Sequence, residues 1–378
     1  MVLCSPSLSL EQGNWFKLIC GASYQYLPVV RNLALVYTLV GADCIDVAPD
    51  PAVVAAAKAG ILAARTGWEQ LQFVDTGSGA HLDVSDAGCS KPWLMVSLND
   101  GEDPHFRKAA FDPLRCPTDC WRPCESICPA DAISFQPTHQ PPGILTERCY
   151  GCGRCLPVCP IDQIETVSSS PGIDAIAAQL LPQVDAVEIH TQIGRVQAFA
   201  DLWQQVRPCL NHLKLVAVSC PDGEGLIAYL KTLYEIMQPL GLPLIWQTDG
   251  RPMSGDIGAG TTHATIKAAQ AVLTARLPGH VQLAGGTNQY TVEKLKELGL
   301  LRSQSQFERD LAISGVAYGS YARQLIMSLI EPCPKLEQNP KRLKDAVQLA
   351  HGLVSQLKPR STRNLFAPDL KSLQALPR

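Results

Sequence analysis

Short apolar segments alternate with longer amphipathic segments along most of this chain. Once the stretch 113–168 is set aside, eight short segments have the composition of buried strands, and a segment with helical periodicity follows each one. This alternation is typical of a parallel sheet whose strands are connected by helices. The predicted strands are 16–22, 44–48, 93–98, 186–190, 215–219, 244–248, 281–284 and 313–317.

The predicted helices fit between these strands. Asp50 and Pro51 mark the start of the second helix, because proline is favoured in the first helical turn. Eight strand–helix units in about 270 residues match a (β/α)8 barrel, which typically has ~250 residues. An open doubly wound α/β sheet is the alternative, because a strand count from pattern alone is often off by one. The predicted helices are 27–40, 51–64, 173–181, 196–210, 224–237, 262–275, 292–298 and 321–330.

The same pattern divides the chain into four parts. We expect the first part of the barrel, with strands one to three, at 14–112 and a cysteine-rich insert at 113–168. The second part of the barrel, with strands four to eight, is expected at 169–331, and a C-terminal helix and tail at 332–378. This last part has nine Lys or Arg against three Asp or Glu, which makes it a basic appendage.

Composition excludes several classes of protein. Charged residues make up 18% of the chain and its net charge is −3, which is typical of a soluble globular protein. No apolar run reaches the ~18 residues of a membrane helix. The N-terminus lacks a secretion signal, so we expect a cytoplasmic, reducing location. Neither a membrane span nor a nucleic-acid partner is expected.

Two runs of cysteines carry the most specific chemical signal. The second run ends in Pro160 and has the C-x2-C-x2-C-x3-C-P spacing of bacterial ferredoxins, while the first run shares only its C-x3-C-P ending. Aligning Cys128 with Cys159 gives an internal repeat of 159 − 128 = 31 residues. The eight cysteines are Cys116, Cys120, Cys124 and Cys128 in the first run and Cys149, Cys152, Cys155 and Cys159 in the second.

This spacing predicts two iron–sulfur clusters. Three cysteines close in sequence bind one cluster, and the fourth binds the other. A structural zinc site and disulfides are the alternatives, but zinc needs only two close pairs and disulfides need an oxidising compartment. We predict a [4Fe-4S] cluster on Cys128, Cys149, Cys152 and Cys155. The second is predicted on Cys116, Cys120, Cys124 and Cys159, as [4Fe-4S] or [3Fe-4S], because the first run is spaced x3, x3, x3.

If the barrel forms, its chemistry lies at the carboxyl ends of the strands. The insert begins beyond strand three at that face, which would place the clusters beside the barrel mouth. The ends of strands seven and eight are rich in glycine and lead into helices, where backbone N–H groups often bind phosphate. They predict a site for a phosphate or flavin ligand at Gly285, Gly286, Gly319, Ser320 and Arg323.

Further polar residues and a glycine-rich loop are also expected at the barrel mouth. Glu188 and His190 point to one face of their strand, and with Asp249 and Arg251 they could form an acid–base or ligand cluster. The loop 255–263 has the glycine content of a phosphate-binding loop but no Walker spacing, so a lid with Thr261 or Thr262 as helix cap is expected. No set of nucleophile, base and orienting residue is apparent. Enzymatic activity is therefore uncertain, and a non-enzymatic protein is favoured.

Taken together, the cysteine repeat within an α/β chain, the segment WFKLICGAS at 15–23 and the segment GGTNQY at 285–290 resemble the cyanobacterial light-dependent period family. The resemblance implies an iron–sulfur redox sensor of circadian input, with clock and clock-input proteins as partners. It carries the ligand assignment over to the eight cysteines and assigns nothing in the barrel. Two alternatives stay open: an electron-transfer oxidoreductase that exchanges electrons with carriers and holds a flavin or phosphate-bearing ligand in the barrel, and clusters that only stabilise the fold.

Overall fold

Eight parallel strands close into a barrel in the computed structural model, which describes residues 5–72, 91–101, 106–128, 130–136, 142–168, 179–250, 261–302 and 311–358. The first strand, Trp15–Ile19, pairs with both Cys44–Val47 and Gly315–Tyr318, and these pairings close the sheet. The predicted (β/α)8 barrel is therefore confirmed, and the open sheet is wrong. The barrel strands are β1 (Trp15–Ile19), β2 (Cys44–Val47), β3 (Trp93–Asn99), β8 (Ala186–His190), β9 (Leu215–Pro221), β10 (Leu244–Asp249), β11 (His280–Ala284) and β12 (Gly315–Tyr318).

Helices surround the barrel close to the predicted positions. The predicted helix 196–210 stops at Val206 and continues as a 3-10 helix, because Pro208 has no N–H for the α-helical ladder. The predicted helix 173–181 falls largely outside the described residues. The helices are α1 (Pro6–Gln12), α2 (Leu27–Leu39), α3 (Pro51–Gln72), α4 (Pro123–Ile127), α5 (Val196–Val206), α6 (Leu226–Met237), α7 (Thr262–Thr274), α8 (Thr291–Glu297), α9 (Ser320–Ile330) and α10 (Pro340–Val354).

Helix α1 was not predicted. Its first turn is stabilised by Ser5, whose side chain accepts a hydrogen bond from the Leu8 amide, and by Pro6 at the first helical positions. Its Leu10 packs with Trp15, Trp93 and other apolar residues in the lower barrel interior. The short helix therefore covers the amino-terminal end of the barrel. Among all described helices, none is long and apolar enough to cross a membrane.

The barrel interior changes from apolar to polar along the strands. Side chains two residues apart on a strand point to the same side. On β8 this places Ala186, Glu188 and His190 inside, from the covered end to the mouth. The lower layer is apolar, and the polar layer above it opens toward the mouth. Outside the strands, a larger apolar core packs the barrel against the helices.

The insert leaves the barrel after β3 and returns before β8. Strands β4 (Arg107–Ala110) and β7 (Glu165–Ser168) pair antiparallel and bring its two ends together. A second antiparallel pair, β5 (Ile133–Ser134) and β6 (Gly143–Ile144), lies between the two cysteine runs. The insert therefore extends from the carboxyl ends of the barrel strands, at the predicted face. The domain borders derived from sequence stay predictions.

Candidate metal centre and barrel mouth

The two halves of the insert have the same backbone conformation at positions 31 residues apart. Arg122 (φ 55°) and Gly153 (φ 71°) are both left-handed, and so are Asp131 (φ 45°) and Asp162 (φ 48°). Each pair is related by the 31-residue shift found in the sequence. Equivalent hydrogen bonds run from the Cys128 amide to the Glu125 carbonyl and from the Cys159 amide to the Leu156 carbonyl, both at 3.3 Å. The repeat is therefore present in the backbone conformation as well as in the sequence.

The eight cysteines form two groups in space, and the last cysteine of each run lies with the first three of the other run. Burial raises the pKa of Cys155 to about 12, and the neighbouring thiols that raise it further are Cys152, Cys149 and Cys128. Burial likewise raises the pKa of Cys116, whose cysteine neighbours are Cys120 and Cys159. Cys124 also has Cys116 and Cys120 as electrostatic neighbours. Each group thus contains three cysteines of one run and the fourth of the other, and their assignment as cluster ligands stays a prediction.

The first group, Cys128, Cys149, Cys152 and Cys155, lines a cavity. Its 410 Å³ are not filled by protein atoms, and its other walls are mainly apolar, including Ala132, Ile133 and Ile144. Backbone amides point at two of the sulfurs: Ala109 donates to Cys149 Sγ and Ala132 to Cys128 Sγ, both at 3.3 Å. Four sulfurs around one apolar space with amide donors fit an iron–sulfur cluster, whose iron binds cysteine as thiolate.

The second group is nearer the surface. Cys116, Cys120 and Cys159 are half-buried. Cys116 Sγ accepts a hydrogen bond from Gln163 Nε2 at 3.2 Å, and Cys120 Sγ accepts one from the Arg122 amide at 3.4 Å. Large apolar side chains next to these cysteines in sequence are exposed, among them Leu114 (90%), Trp121 (76%) and Ile161 (44%). We call Leu114, Trp121 and Ile161 the apolar collar.

A single metal ion fits these groups less well than a cluster. None of the thirteen cysteines that the structure describes forms a disulfide. No group of three or more Cys, His, Asp or Glu side chains within the described ranges could hold a single metal ion. In a cluster each cysteine binds its own iron, so the sulfurs need not converge on one point, and the first group lines a space of this kind.

The barrel mouth contains a second cavity, with about 680 Å³ free of protein atoms and partly open to solvent. All five residues predicted for a phosphate or flavin ligand lie in its wall: Gly285, Gly286, Gly319, Ser320 and Arg323. Glu188, His190 and Asp249 line it as well. Arg251 and residues 255–260 of the expected lid lie outside the described residues. The structure thus brings most of the predicted barrel residues into one cavity, although their role as a site stays a prediction.

Thr261 occupies the position before helix α7, but its side chain does not cap the helix. Its hydroxyl donates instead to the Gly286 carbonyl at 2.7 Å. Thr262 likewise points to that carbonyl, at 3.4 Å. The two threonines therefore hold the glycine-rich end of β11 against the start of α7, which differs from the capping role expected from sequence.

The floor of this cavity is a buried polar network around Glu188 and His190, in which Lys17, Asp46 and Gln247 were not predicted. Lys17 Nζ donates to Glu188 Oε2, and both side chains are inaccessible to solvent. Glu188 Oε1 accepts from Gln247 Nε2 at 2.6 Å and lies 2.9 Å from His190 Nε2. Burial alone would raise the pKa of Glu188, but Lys17 and His190 outweigh it and lower the pKa to about 2. Glu188 is therefore a carboxylate at neutral pH.

Asp46 completes the network from the neighbouring strand β2. Its carboxylate accepts from Ser97 Oγ at 2.9 and 3.0 Å and lies 3.8 Å from Lys17 Nζ. Burial raises the pKa of Asp46 to about 6, although Lys17 opposes the rise. The signal for Lys17 and Asp46 was present in the sequence, since each is a charged residue within a short apolar strand.

Tyr150 joins the two cavities. It follows Cys149 directly, and it lines both the cysteine cavity and the mouth cavity. The guanidinium carbon of Arg323 lies 4.3 Å from the centre of the Tyr150 ring. Arg323 is 3% exposed, and its charge acts to lower the pKa of Cys152, against the larger effect of burial. The insert and the barrel mouth are therefore in direct contact through one aromatic residue.

Comparisons with known proteins agree with this arrangement. The model "Light dependent period A C-terminal domain" matches residues 180–356, and the "LdpA Fe-S cluster-binding domain" matches residues 116–170, a span that contains all eight cysteines. The chain is 52% identical over 359 residues to Light dependent period A of Synechococcus elongatus, which covers 93% of this chain and 94% of that protein. It is 42% identical over 60 residues to the putative electron transport protein YsaA of Escherichia coli, which covers 15% of this chain and 36% of that protein.

Proposed function

Since this chain belongs to the light dependent period A family, we propose that it is an iron–sulfur redox sensor that relays cellular redox or light state to the circadian clock and modulates its period. Its partners in this proposal are clock and clock-input proteins, and its compartment is the cytoplasm. The cavity lined by Cys128, Cys149, Cys152 and Cys155 is the observation that carries the proposal. It supports a built cluster site that uses both halves of the insert.

We propose a [4Fe-4S] cluster on this group and a [4Fe-4S] or [3Fe-4S] cluster on Cys116, Cys120, Cys124 and Cys159. Such groups supply reversible one-electron chemistry when bound. What the protein contributes is the location of each cluster. The first group faces the barrel mouth through Tyr150, and the second lies beside the exposed apolar collar. Exposed large apolar side chains near a redox centre are candidate contact points for other proteins. We therefore expect electron carriers to meet the protein at the collar.

The sensor proposal requires that the cluster state changes partner affinity, which is a coupling free energy between two sites. The test is anaerobic purification with iron and sulfide analysis and paramagnetic resonance. Binding to purified cyanobacterial clock and clock-input proteins is then measured for the oxidised and the dithionite-reduced protein. A difference in affinity between the two states is expected. Equal affinity for every partner in both states would contradict the proposal.

Matched variants separate the cluster from other effects of the reductant. Cys152→Ser removes a cysteine of the first cavity, and its partner binding should no longer respond to dithionite. Cys209→Ser changes a half-buried cysteine outside both groups and should respond like the wild type. If Cys152→Ser responds as strongly as the wild type, the first group is not the sensing element.

One observation favours a second function. The wall of the mouth cavity contains carboxylates and a histidine, and it touches the cysteine cavity at Tyr150. This arrangement would suit a ferredoxin-like electron-transfer oxidoreductase with a flavin or phosphate-bearing ligand in the barrel. Such a protein should retain that ligand through anaerobic purification. A flavin absorbance beside the broad cluster band would favour the enzyme over the sensor.

A further inference from the structure

One wall of the mouth cavity is formed by a buried cation, Arg323, that has no carboxylate partner among the described residues. Arg323 donates to the Ile19 carbonyl at 3.0 Å and to Ser320 Oγ at 3.1 Å, and these acceptors are neutral. No carboxylate among the described residues forms an ion pair with Arg323, in contrast to Arg31 with Glu337 and Arg148 with Glu331. A buried charge is costly unless an opposite charge accompanies it. The cavity therefore has a place for an anion at its Arg323 side.

The backbone around Arg323 suits the same ligand. Arg323 lies in the first turn of the eleven-residue helix α9, where amide groups have no acceptor within the helix and the helix dipole is positive. A methyl group placed on the adjacent Gly319 would lie in contact with Arg323 Nη1, at 3.8 Å, so the glycine leaves room beside the guanidinium that a side chain would occupy. Both features favour a negative group at this end of the cavity.

Carboxylates also line this cavity: Asp46, Glu188 and Asp249, with Glu188 paired to Lys17 and 2.9 Å from His190 Nε2. A ligand that is anionic throughout would be repelled by these carboxylates. A ligand with one anionic group and a separate hydrogen-bond donor would match both Arg323 and the carboxylates. The cavity thus selects small organic anions that carry a hydroxyl or amino group.

We propose that the barrel mouth binds a small organic anion, a carboxylate or a phosphate monoester, whose charged group pairs with Arg323 and whose donor group faces the acidic floor. We infer in addition that this anion is coupled to the first cysteine cavity, because Tyr150 lines both spaces and Arg323 lies on its ring. The coupling rests on the proposed cluster, whereas the binding does not. The anion takes part in no bond change; in the test, dithionite supplies the single electron that the cluster gains.

The sign of the coupling follows from charge. An added electron makes the cluster more negative, and Arg323 stabilises that charge. An anion on Arg323 cancels part of this stabilisation, so it should lower the reduction potential. By linkage, the reduced protein should bind the anion more weakly by the same free energy. A tenfold difference in affinity corresponds to a change of about 59 mV for one electron.

Binding is tested by calorimetry on the anaerobically purified full chain with four probes: propionate, 3-hydroxypropionate, ethyl phosphate and glycerol 1-phosphate. Within each pair the hydroxylated probe should bind more tightly, and comparison of the pairs distinguishes carboxylate from phosphate. Arg323→Gln should weaken binding roughly tenfold or more, the loss expected for a hydrogen bond to a charged group. Arg31→Gln removes an arginine that does not line the cavity and should bind as the wild type does.

Arg323→Lys keeps the charge and provides a second test if Arg323→Gln fails to fold. It should retain weaker binding, because lysine lacks the planar guanidinium group that can donate two parallel hydrogen bonds to one anion. No binding of any probe, or binding that neither Arg323 variant changes, would overturn the proposal. The coupling is measured as the potential of the first cluster with and without saturating probe. An unchanged potential overturns the coupling alone, and absence of clusters overturns the proposed function while the binding result stands.

Discussion

Lys17 and Glu188 form an ion pair at the centre of the barrel, with both side chains out of contact with solvent. They come from strands β1 and β8, 171 residues apart. Burying a charge without its partner is strongly unfavourable. We therefore expect this pair to control both the stability of the barrel and the charge of the mouth cavity.

Replacing Lys17 by Met should destabilise the protein by about 3–5 kcal/mol, because Glu188 would remain as an unpaired buried charge. Urea unfolding measures the loss. The control is Lys294→Met, which removes an exposed pair with Glu297 and should cost less than about 1 kcal/mol. Adding Glu188→Gln to Lys17→Met should recover part of the stability, since the unpaired charge is then gone. Equal effects of the two lysine variants would contradict the importance of the buried pair.

Asp46 should make the stability fall as pH rises toward neutrality. Its pKa in the folded protein is about 6, above the ordinary value of 3.8, so between these values the native state holds a proton that the unfolded state has lost. The free energy of unfolding should therefore decrease over this range, by up to about 3 kcal/mol at 1.36 kcal/mol per pKa unit. Asp46→Asn cannot titrate there. The stability of wild type relative to Asp46→Asn, from urea unfolding at pH 4 to 7, should decline; parallel curves would refute the prediction.

Glu188 should have the opposite effect at lower pH. Its pKa is lowered to about 2 from 4.5, so its contribution is present above pH 4.5 and is lost as pH falls toward 2. The variant Glu188→Gln should not show this loss of stability at low pH. Unfolding measured from pH 5 down to pH 3 compares the two proteins. If wild type and variant lose stability equally in acid, other carboxylates are responsible.

If the last cysteine of each run binds the cluster of the other run, single substitutions should remove the paramagnetic signals in a specific pattern. Cys128→Ser should remove the same paramagnetic signal as Cys152→Ser, although Cys128 is nearer in sequence to Cys124. Cys159→Ser should in turn resemble Cys120→Ser. Cys333→Ser, outside both groups, serves as the control. The idea fails if Cys128→Ser and Cys124→Ser remove one and the same signal.

The apolar collar should govern electron exchange with carriers. Trp121 is 76% exposed, so Trp121→Ala should change the unfolding free energy by no more than about 0.5 kcal/mol. Loss of a central tryptophan from a protein contact typically costs about 2 kcal/mol, or roughly 30-fold in affinity. We expect a weaker carrier complex by that order, measured from the carrier-concentration dependence of the exchange rate. Leu62→Ala, 63% exposed on α3, should leave the exchange unchanged.

Much of this architecture is encoded locally. The bounds of β8, Ala186–His190, were predicted without error, because a short apolar segment between turn residues depends on little beyond its own sequence. The assignment of the eight cysteines to two clusters also came from local signals, the spacing and the repeat, and it stays a prediction. Helix α1 was missed because seven residues show too little periodicity, and pairing of β4 with β7 joins segments too far apart for a local pattern.

The hydrophobic pattern and the cysteine spacing determined the barrel, the insert and the chemistry of the insert, since strand period, helix period and ligand spacing are properties of neighbouring residues. Closure of the barrel decided the rest. Only closure places Lys17 against Glu188, sets Arg323 on the ring of Tyr150, and forms the mouth cavity next to the cavity of the first cysteine group. Each of the two contacts joins residues more than 150 positions apart. Which residues meet in these contacts depends on the fold of the whole chain, so the sequence of a short segment cannot predict them.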